Sequence, residues 1–230
     1  MALLHYAPPL LPYLNILYQD DDLIVLNKPS GLLSVPGKAL EHKDSLQLRV
    51  QRVFPTATIV HRLDMATSGI LVMALNKASH VAISRQFELR QTTKSYLARV
   101  HGKLEQDTGK VDLPLICDWP NRPKQMVDHE RGKKALTHWQ VVERGEDETL
   151  VRLTPVTGRS HQLRVHMLSL GHPILGDRLY AHADALATAK RLQLHAEELS
   201  FLHPVTQQPL NFVCPAPFTL KSQGESTDIV

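Results

Sequence analysis

The chain has only two cysteines among 230 residues, Cys117 and Cys214, set far apart and without a Cys-x-x-Cys pair. They read as buried thiols of a reducing compartment, and neither a disulfide framework nor a structural zinc site is expected. No apolar run approaches the roughly 18 residues a membrane helix needs. Leu10-Leu11-Pro12 is too short for a signal sequence and has no basic leader before it, so a cytoplasmic location is expected. No glycine-rich nucleotide-binding loop, internal repeat or long linker occurs. Of the 13 histidines, His161 and His166 come closest to a ligand pair. They are five apart and do not share a helix face, so we read them as surface or hydrogen-bonding residues and expect no metal.

Charge is also sparse. A net charge of +3 neither demands nor excludes a nucleic-acid partner. The cations are clustered: Arg122, Lys124, Arg131, Lys133 and Lys134 crowd one loop-rich stretch, and Arg85, Arg90 and Lys94 another. Each cluster alone reads as a solvated face, yet together they could neutralise several phosphates of a nucleic acid. Hydrophobic residues at 43% and charged residues at 21% suit a globular enzyme with a real core.

The most informative segment is His61-Arg62-Leu63-Asp64-Met65-Ala66-Thr67-Ser68-Gly69. It places a carboxylate and a guanidinium in a turn between two apolar runs, Ala57–Val60 and Ile70–Leu75, both of which read as buried strands. A charged pair is expensive there unless something compensates. Asp64 could equally do no more than bond turn amides.

Elsewhere the pattern is strand-rich. Ile16–Tyr18 and Leu23–Leu26 flank a polar turn and predict a hairpin, closed by Lys28-Pro29-Ser30-Gly31. Asp44 or Ser45 can cap a helix over 46–54. A second helix is predicted over 78–90 with Val81, Ile83 and Phe87 inward. A third is predicted from an N-cap at Ser160 through Leu170, stopped by Gly171 and Pro173. Strands are predicted at 95–100, 137–142, 149–154, 194–201 and 211–213. Strands with a few interspersed helices and no strict alternation predict an α+β fold.

The HRLDMATSG string resembles the signature of the RNA pseudouridine synthases, the large-subunit rRNA uridine synthase family. Ile16–Gly37 resembles that family's N-terminal hairpin, Lys94–Gly102 its tyrosine-bearing strand, Gly158–Tyr180 its arginine-bearing helix and following loop, and Leu194–Pro204 its late strand. Asp112–Gln125 is similar to the branch with dual specificity for 23S rRNA and tRNA. The resemblance implies a catalytic domain over 16–218, on a long, bent, mostly antiparallel sheet with a cleft across its middle. An N-terminal extension (1–15) and a frayed tail (219–230) flank it. Because the hairpin begins within the first twenty residues, a separate N-terminal RNA-binding domain is not expected.

Family membership implies site-specific isomerisation of uridine to pseudouridine, a reaction needing no cofactor. Asp64 falls at the catalytic aspartate. Arg164 is placed opposite it, Tyr96 is the base-stacking residue, and Arg62 fills the gap left when the target base leaves its stack. Read without the resemblance, Tyr96 is a core strand tyrosine, Arg164 an exposed helix arginine, and Arg62 the ion-pair partner of Asp64 or Asp44. Thr67 and Ser68 fix the turn. Whether Asp64 attacks the sugar, attacks the ring or promotes proton abstraction stays open.

The implied partners are a 23S rRNA hairpin and a tRNA anticodon stem-loop, with no DNA and no membrane, and a monomer is expected. Departures from the pattern at Met126–Glu130 and His182–Lys190 bear on the tRNA activity most. Two other function classes fit the sequence less well. A noncatalytic RNA-binding or folding factor would be favoured by replacement of Asp64, Tyr96 or Arg164, and none is replaced. A glycosidic hydrolase wants a second carboxylate; Asp177 is the one candidate, and a loop-fixing role explains it better.

Overall fold

The computed structural model describes residues 6–220. In chain order the strands and helices are β1 (Ile16–Gln19), β2 (Leu23–Lys28), α1 (Leu46–Gln51), β3 (Thr58–Ile59), β4 (Ser68–Ala74), α2 (Lys77–Glu88), β5 (Thr93–His101), β6 (Thr108–Asp112), β7 (Leu115–Cys117), β8 (Gln125–Val127), β9 (Leu136–Arg144), β10 (Glu148–Pro155), α3 (Gln162–Ser169), α4 (Ala183–Ala187), β11 (Leu194–Leu202) and β12 (Pro209–Val213). Strands dominate, and all the strand registers below are antiparallel, as an α+β reading requires. The tail residues 222–226 lie outside the described residues.

The chain groups into two compact units. Among the described residues the first comprises 6–94 together with Ala196–Pro215; the second comprises Ser95–His195 and 216–220.

In the first unit the strands run β1-β2-β4-β11, with β12 on β11 and β3 on the end of β4. The predicted hairpin forms, with Ile24 opposite Gln19 and Leu26 opposite Ile16. β2 and β4 pair from Leu23–Ala74 to Lys28–Gly69. Leu23, Ile24, Val25 and Leu26 are fully buried, as is nearly all of β4. Both faces are therefore covered, which is why these strands read as continuous apolar runs. Each such side chain contributes about 1.5–3 kcal/mol of burial. One face packs on Ile83 of α2 and on Leu199 and Phe201 of β11.

Two local expectations need correction here. The strand expected over 57–60 shrinks to Thr58–Ile59 and is only half-buried. Val81 is 58% exposed, because it lies two residues from Ile83 and so about 200° away around the helix. The buried positions of α2 are Ser79, Ile83 and Gln86. Of the two residues expected to cap α1, Ser45 does so, accepting from the Leu48 N–H; α2 is capped by Asn76, which the sequence reading did not name and which accepts from the Ser79 N–H at 2.9 Å.

In the second unit the strands run β5-β10-β9-β6, and β7 and β8 form a separate small hairpin. Tyr96 faces Leu153 across β5 and β10. Helix α3 is buried along Gln162–Met167. Its start differs from expectation. The N-cap position is His161, held left-handed at φ 55°, with no side-chain cap, rather than Ser160. Gln162 instead organises the turn that precedes the helix: its Oε1 accepts from the Arg159 N–H at 3.0 Å and from the Thr157 hydroxyl at 2.7 Å. The helix stops at Gly171, at φ 82°, as the sequence predicts.

Candidate active site

Asp64 sits in the irregular turn between β3 and β4, half-buried, with its carbonyl accepting from the Thr67 N–H at 3.1 Å. The carbonyls of the residues on either side of it are held as well. The Ser34 hydroxyl donates to the Leu63 carbonyl at 2.7 Å and accepts from the Leu63 N–H at 3.2 Å. Gly31 N–H and Lys28 Nζ both donate to the Met65 carbonyl, at 2.9 and 3.1 Å. Ser30 Oγ donates to the Ala66 carbonyl at 2.7 Å. The Lys28-Pro29-Ser30-Gly31 segment, which reads as simple hairpin closure, is therefore the clamp of the Asp64 turn.

Lys28 is fully buried and also donates to the carbonyls of Pro29 at 3.0 Å and Leu32 at 2.7 Å. A buried ammonium among carbonyls is tolerated because its three donors find acceptors.

On the other side of Asp64, His61 anchors the turn's entry. Its Nε2 accepts from the Val72 N–H at 3.1 Å, and its ring stacks on Phe87 with centroids 4.5 Å apart. The proton therefore resides on Nδ1. Burial, with Lys94 adding repulsion, pulls its pKa down to about 3, so the ring stays neutral. Lys94 lies 5.8 Å from the Phe87 ring centroid and is itself lowered, by burial first and then by Arg90.

The turn's exit depends on Gly69, at φ 112°. A Cβ there would sit 2.3 Å from the Ala196 carbonyl oxygen, so only glycine lets β4 begin against β11. Thr67 and Ser68 are buried at the same junction, in keeping with a turn-fixing role. Arg62 is exposed. Asp44 pairs with the buried Arg49 at 2.6 Å instead.

Arg62 and Asp64 thus share one turn of the first unit, while Tyr96 and Arg164 belong to the second. Tyr96 is half-buried. Arg164 is 4% exposed, buried rather than on an open helix face. Its Nε and one terminal nitrogen each meet an oxygen of Asp177 at 2.7 Å, a bidentate pair that fixes the guanidinium plane. Asp177 also accepts from the Leu179 N–H at 2.9 Å and the Tyr180 N–H at 3.3 Å. It does fix its loop, and it holds Arg164 as well.

Tyr180, which sequence reasoning left unassigned, lies under Arg164 with 5.0 Å from guanidinium carbon to ring centroid. Its hydroxyl is 2.7 Å from His161 Nδ1 and accepts from the Gln125 N–H at 2.8 Å. His166 is buried, so of the two readings, surface or hydrogen-bonding, the second holds. It bonds Thr137 Oγ1 at 2.9 Å and the Leu113 carbonyl at 3.1 Å. Cys214 is buried and Cys117 half-buried.

Among the described residues one group, Asp20, Asp22 and His203, has metal-like proximity. Its acceptors are already engaged. Asp20 takes the Tyr18 hydroxyl, two backbone N–H groups and His203; Asp22 takes Asn76 and Ser79. The group ties the β1–β2 turn to α2 and to the β11–β12 turn.

Comparison with known proteins is consistent throughout. A family model described as RNA pseudouridylate synthase matches residues 22–169. The chain is 61% identical over 204 residues to the dual-specificity RNA pseudouridine synthase RluA of Yersinia pestis, covering 88% of this chain and 99% of that protein. It is 58% identical over 219 residues to the protein of the same name from Escherichia coli K12, covering 95% and 100%. Among solved structures, human RNA pseudouridylate synthase domain containing 1 superimposes with TM-score 0.75 at 32% identity, over 90% of this chain and 84% of that one. Human RNA pseudouridylate synthase domain containing 4 gives 0.70 at 30%, over 88% of each.

Proposed function

The chain belongs to the RNA pseudouridylate synthase family, and we propose that it isomerises single uridines to pseudouridine in a 23S rRNA hairpin loop and in a tRNA anticodon stem-loop. Support for the two substrates is the dual-specificity name carried by relatives 58–61% identical over nearly their whole length. In the reaction the bond from N1 to the ribose C1′ breaks and a bond from C5 to C1′ forms. The C5 hydrogen leaves as a proton and N1 gains one, so the product is an isomer and no redox step occurs.

Asp64 is the catalytic group in this reading. The observation that carries it is the clamp. A turn carbonyl network closed by Lys28, Ser30, Gly31 and Ser34 holds one half-buried carboxylate in place. Electrostatic catalysis requires such preorganisation. Arg62, exposed on the same turn, contacts RNA and takes the place of the flipped base, a step that costs a few kcal/mol of unstacking. Tyr96 stacks on the uracil, and Arg164 is the buried guanidinium of the substrate site. The enzyme acts as a cytoplasmic monomer, with residues 16–218 forming its catalytic part.

Tritium release from uridine labelled at C5, in transcripts of the two stem-loops, tests the whole reading. Wild type should release tritium from both. Asp64→Asn, which keeps size and hydrogen bonding but removes the charge, should lose at least on the order of 10²–10³ in rate. Release from one RNA alone would correct the substrate range. Release by Asp64→Asn at the wild-type rate would remove Asp64 from the chemistry.

A further inference from the structure

The β7–β8 hairpin carries a tryptophan that no core position explains. Trp119 is 65% exposed, and the Arg122 guanidinium carbon lies 4.5 Å from its ring centroid. The other tryptophan, Trp139, is 6% exposed. An indole left mostly in solvent gains little from burial and stays open to a flat partner.

The hairpin tip is held by its own hydrogen bonds. Asp118 N–H donates to the Lys124 carbonyl, Asn121 N–H to the Asp118 carbonyl, and Lys124 N–H to the Asn121 carbonyl, at 3.0, 3.0 and 3.1 Å. Asn121 Nδ2 adds a bond to the Asp118 carboxylate at 2.9 Å. Pro120 and Pro123 restrict the backbone further. The platform is therefore rigid without packing on a core, and little entropy remains to be lost when something lands on it.

Cations outnumber carboxylates around the hairpin: Arg122, Lys124, Arg131, Lys133 and Lys134 against Asp118, Asp128 and Glu130. Residues Arg131–Lys134 run beside β7, joined to it by the reciprocal bonds of Leu115 and Lys133 at 3.0 and 2.8 Å. Asp128 offsets Arg131 through an ion pair at 3.1 Å. Lys124, Lys133 and Lys134 add further cations to this stretch, and Lys133 and Lys134 are exposed, as is Arg122. The hairpin is also tied to Arg164's surroundings, because the Gln125 N–H ends on the Tyr180 hydroxyl beneath that guanidinium.

We propose that the Trp119–Arg122 stack is a landing platform for an unpaired base of the substrate RNA, with Lys124, Lys133 and Lys134 receiving the adjoining phosphates. The proposal rests on the chain being an RNA-modifying enzyme. A rigid aromatic flanked by cations fits single-stranded RNA, because every base offers a π-face and every linkage a negative charge. A guanidinium already stacked on the indole extends that flat surface and supplies the charge.

The test uses the full chain and the two stem-loop transcripts. Trp119→Ala should weaken stem-loop binding on the order of tenfold, the scale of one base stack. Trp119→Phe should recover most of that loss, since a smaller ring still stacks. The single-turnover rate at saturating RNA should stay within about twofold of wild type, because the platform lies outside the reacting groups. Lys110→Ala removes an exposed cation from β6 and controls for charge alone. In wild type, RNA should shield Trp119 emission from acrylamide quenching, while the buried Trp139 contributes little quenchable signal. Unchanged affinity in folded Trp119→Ala, or no shielding by RNA, would overturn the platform. Shielding and weakened binding in a protein that releases no tritium would uphold it while sinking the isomerase reading.

Discussion

The buried ammonium of Lys28 donates to the carbonyl of Met65, the residue that follows Asp64, across 37 positions of sequence and 3.1 Å of space. It is one of three carbonyls gathered by that nitrogen. The turn bearing the carboxylate is thus built around a cation that never reaches solvent. Lys28→Met keeps the length and apolar stem but leaves the Pro29 and Leu32 carbonyls without this donor. A buried acceptor left unpaired costs about 1–3 kcal/mol. The expected loss is about 2–4 kcal/mol, a fall of roughly 5–15 °C in Tm for a chain of this size. Thermal unfolding measures it. Tritium release per folded molecule should fall as well, because the Asp64 turn loosens; an unchanged rate would show that the turn holds without Lys28.

Arg164 and Asp177 form the corresponding pair in the second unit, at 2.7 Å through two bonds and nearly out of solvent. Removing one charge of such a pair strands the other, which typically costs 3–5 kcal/mol. Asp177→Asn and Arg164→Met should each lower stability by about that amount. The double variant should lose clearly less than the two added together, because neither charge is then left behind. Denaturant unfolding of the four proteins closes the cycle, and simple additivity would argue that the two side chains act independently.

His61 gives a pH dependence with a definite sign. Unfolded, its ring takes up a proton near the ordinary value of 6.5; folded, it does so only near 3. Between those values the unfolded state binds more protons, so this group's stabilisation is complete above pH 6.5 and is lost as pH falls toward 3. The slope approaches about 1.4 kcal/mol per pH unit for one proton. His166 is also lowered, by burial first, and contributes with the same sign. The wild-type curve minus that of His61→Gln isolates the first ring. NMR should find His61 still neutral at pH 5, and a cationic ring there would contradict the Val72 hydrogen bond.

Much of this was legible in the sequence, and the boundary has a physical cause. β2 and β4 were visible because burial on both faces leaves an unbroken apolar run, and Ser45 and Gly171 because caps act within four residues. Val81 misled because apolar character alone does not fix a helix face. Ser160 misled because the helix begins one residue later, after a left-handed His161, and no side chain caps it. The clamp was invisible for a different reason. Lys28 to Met65, Gly69 to Ala196 and Tyr180 to Gln125 are meetings across long stretches of chain, and no local pattern marks them. Lys-Pro-Ser-Gly looks the same whether it merely turns or also holds a catalytic carboxylate.

Tyr180 allows the third of those meetings to be tested without touching Asp64. Tyr180→Phe retains the ring beneath Arg164 and deletes only the hydroxyl that meets His161 and Gln125. Two hydrogen bonds are lost and one half-buried N–H is left without its acceptor, for about 1–2 kcal/mol. The loss should be local. Amide exchange at Gln125 should accelerate on the order of tenfold, as for a bond whose opening has become about 1.4 kcal/mol easier. Amides of β9 and β10 should exchange at their former rates. Because the hydroxyl also anchors the β7–β8 hairpin, RNA affinity should weaken by less than in Trp119→Ala, since the indole remains but is less firmly aimed. Unaltered Gln125 exchange would mean that the hairpin is held by its own strand pairing alone.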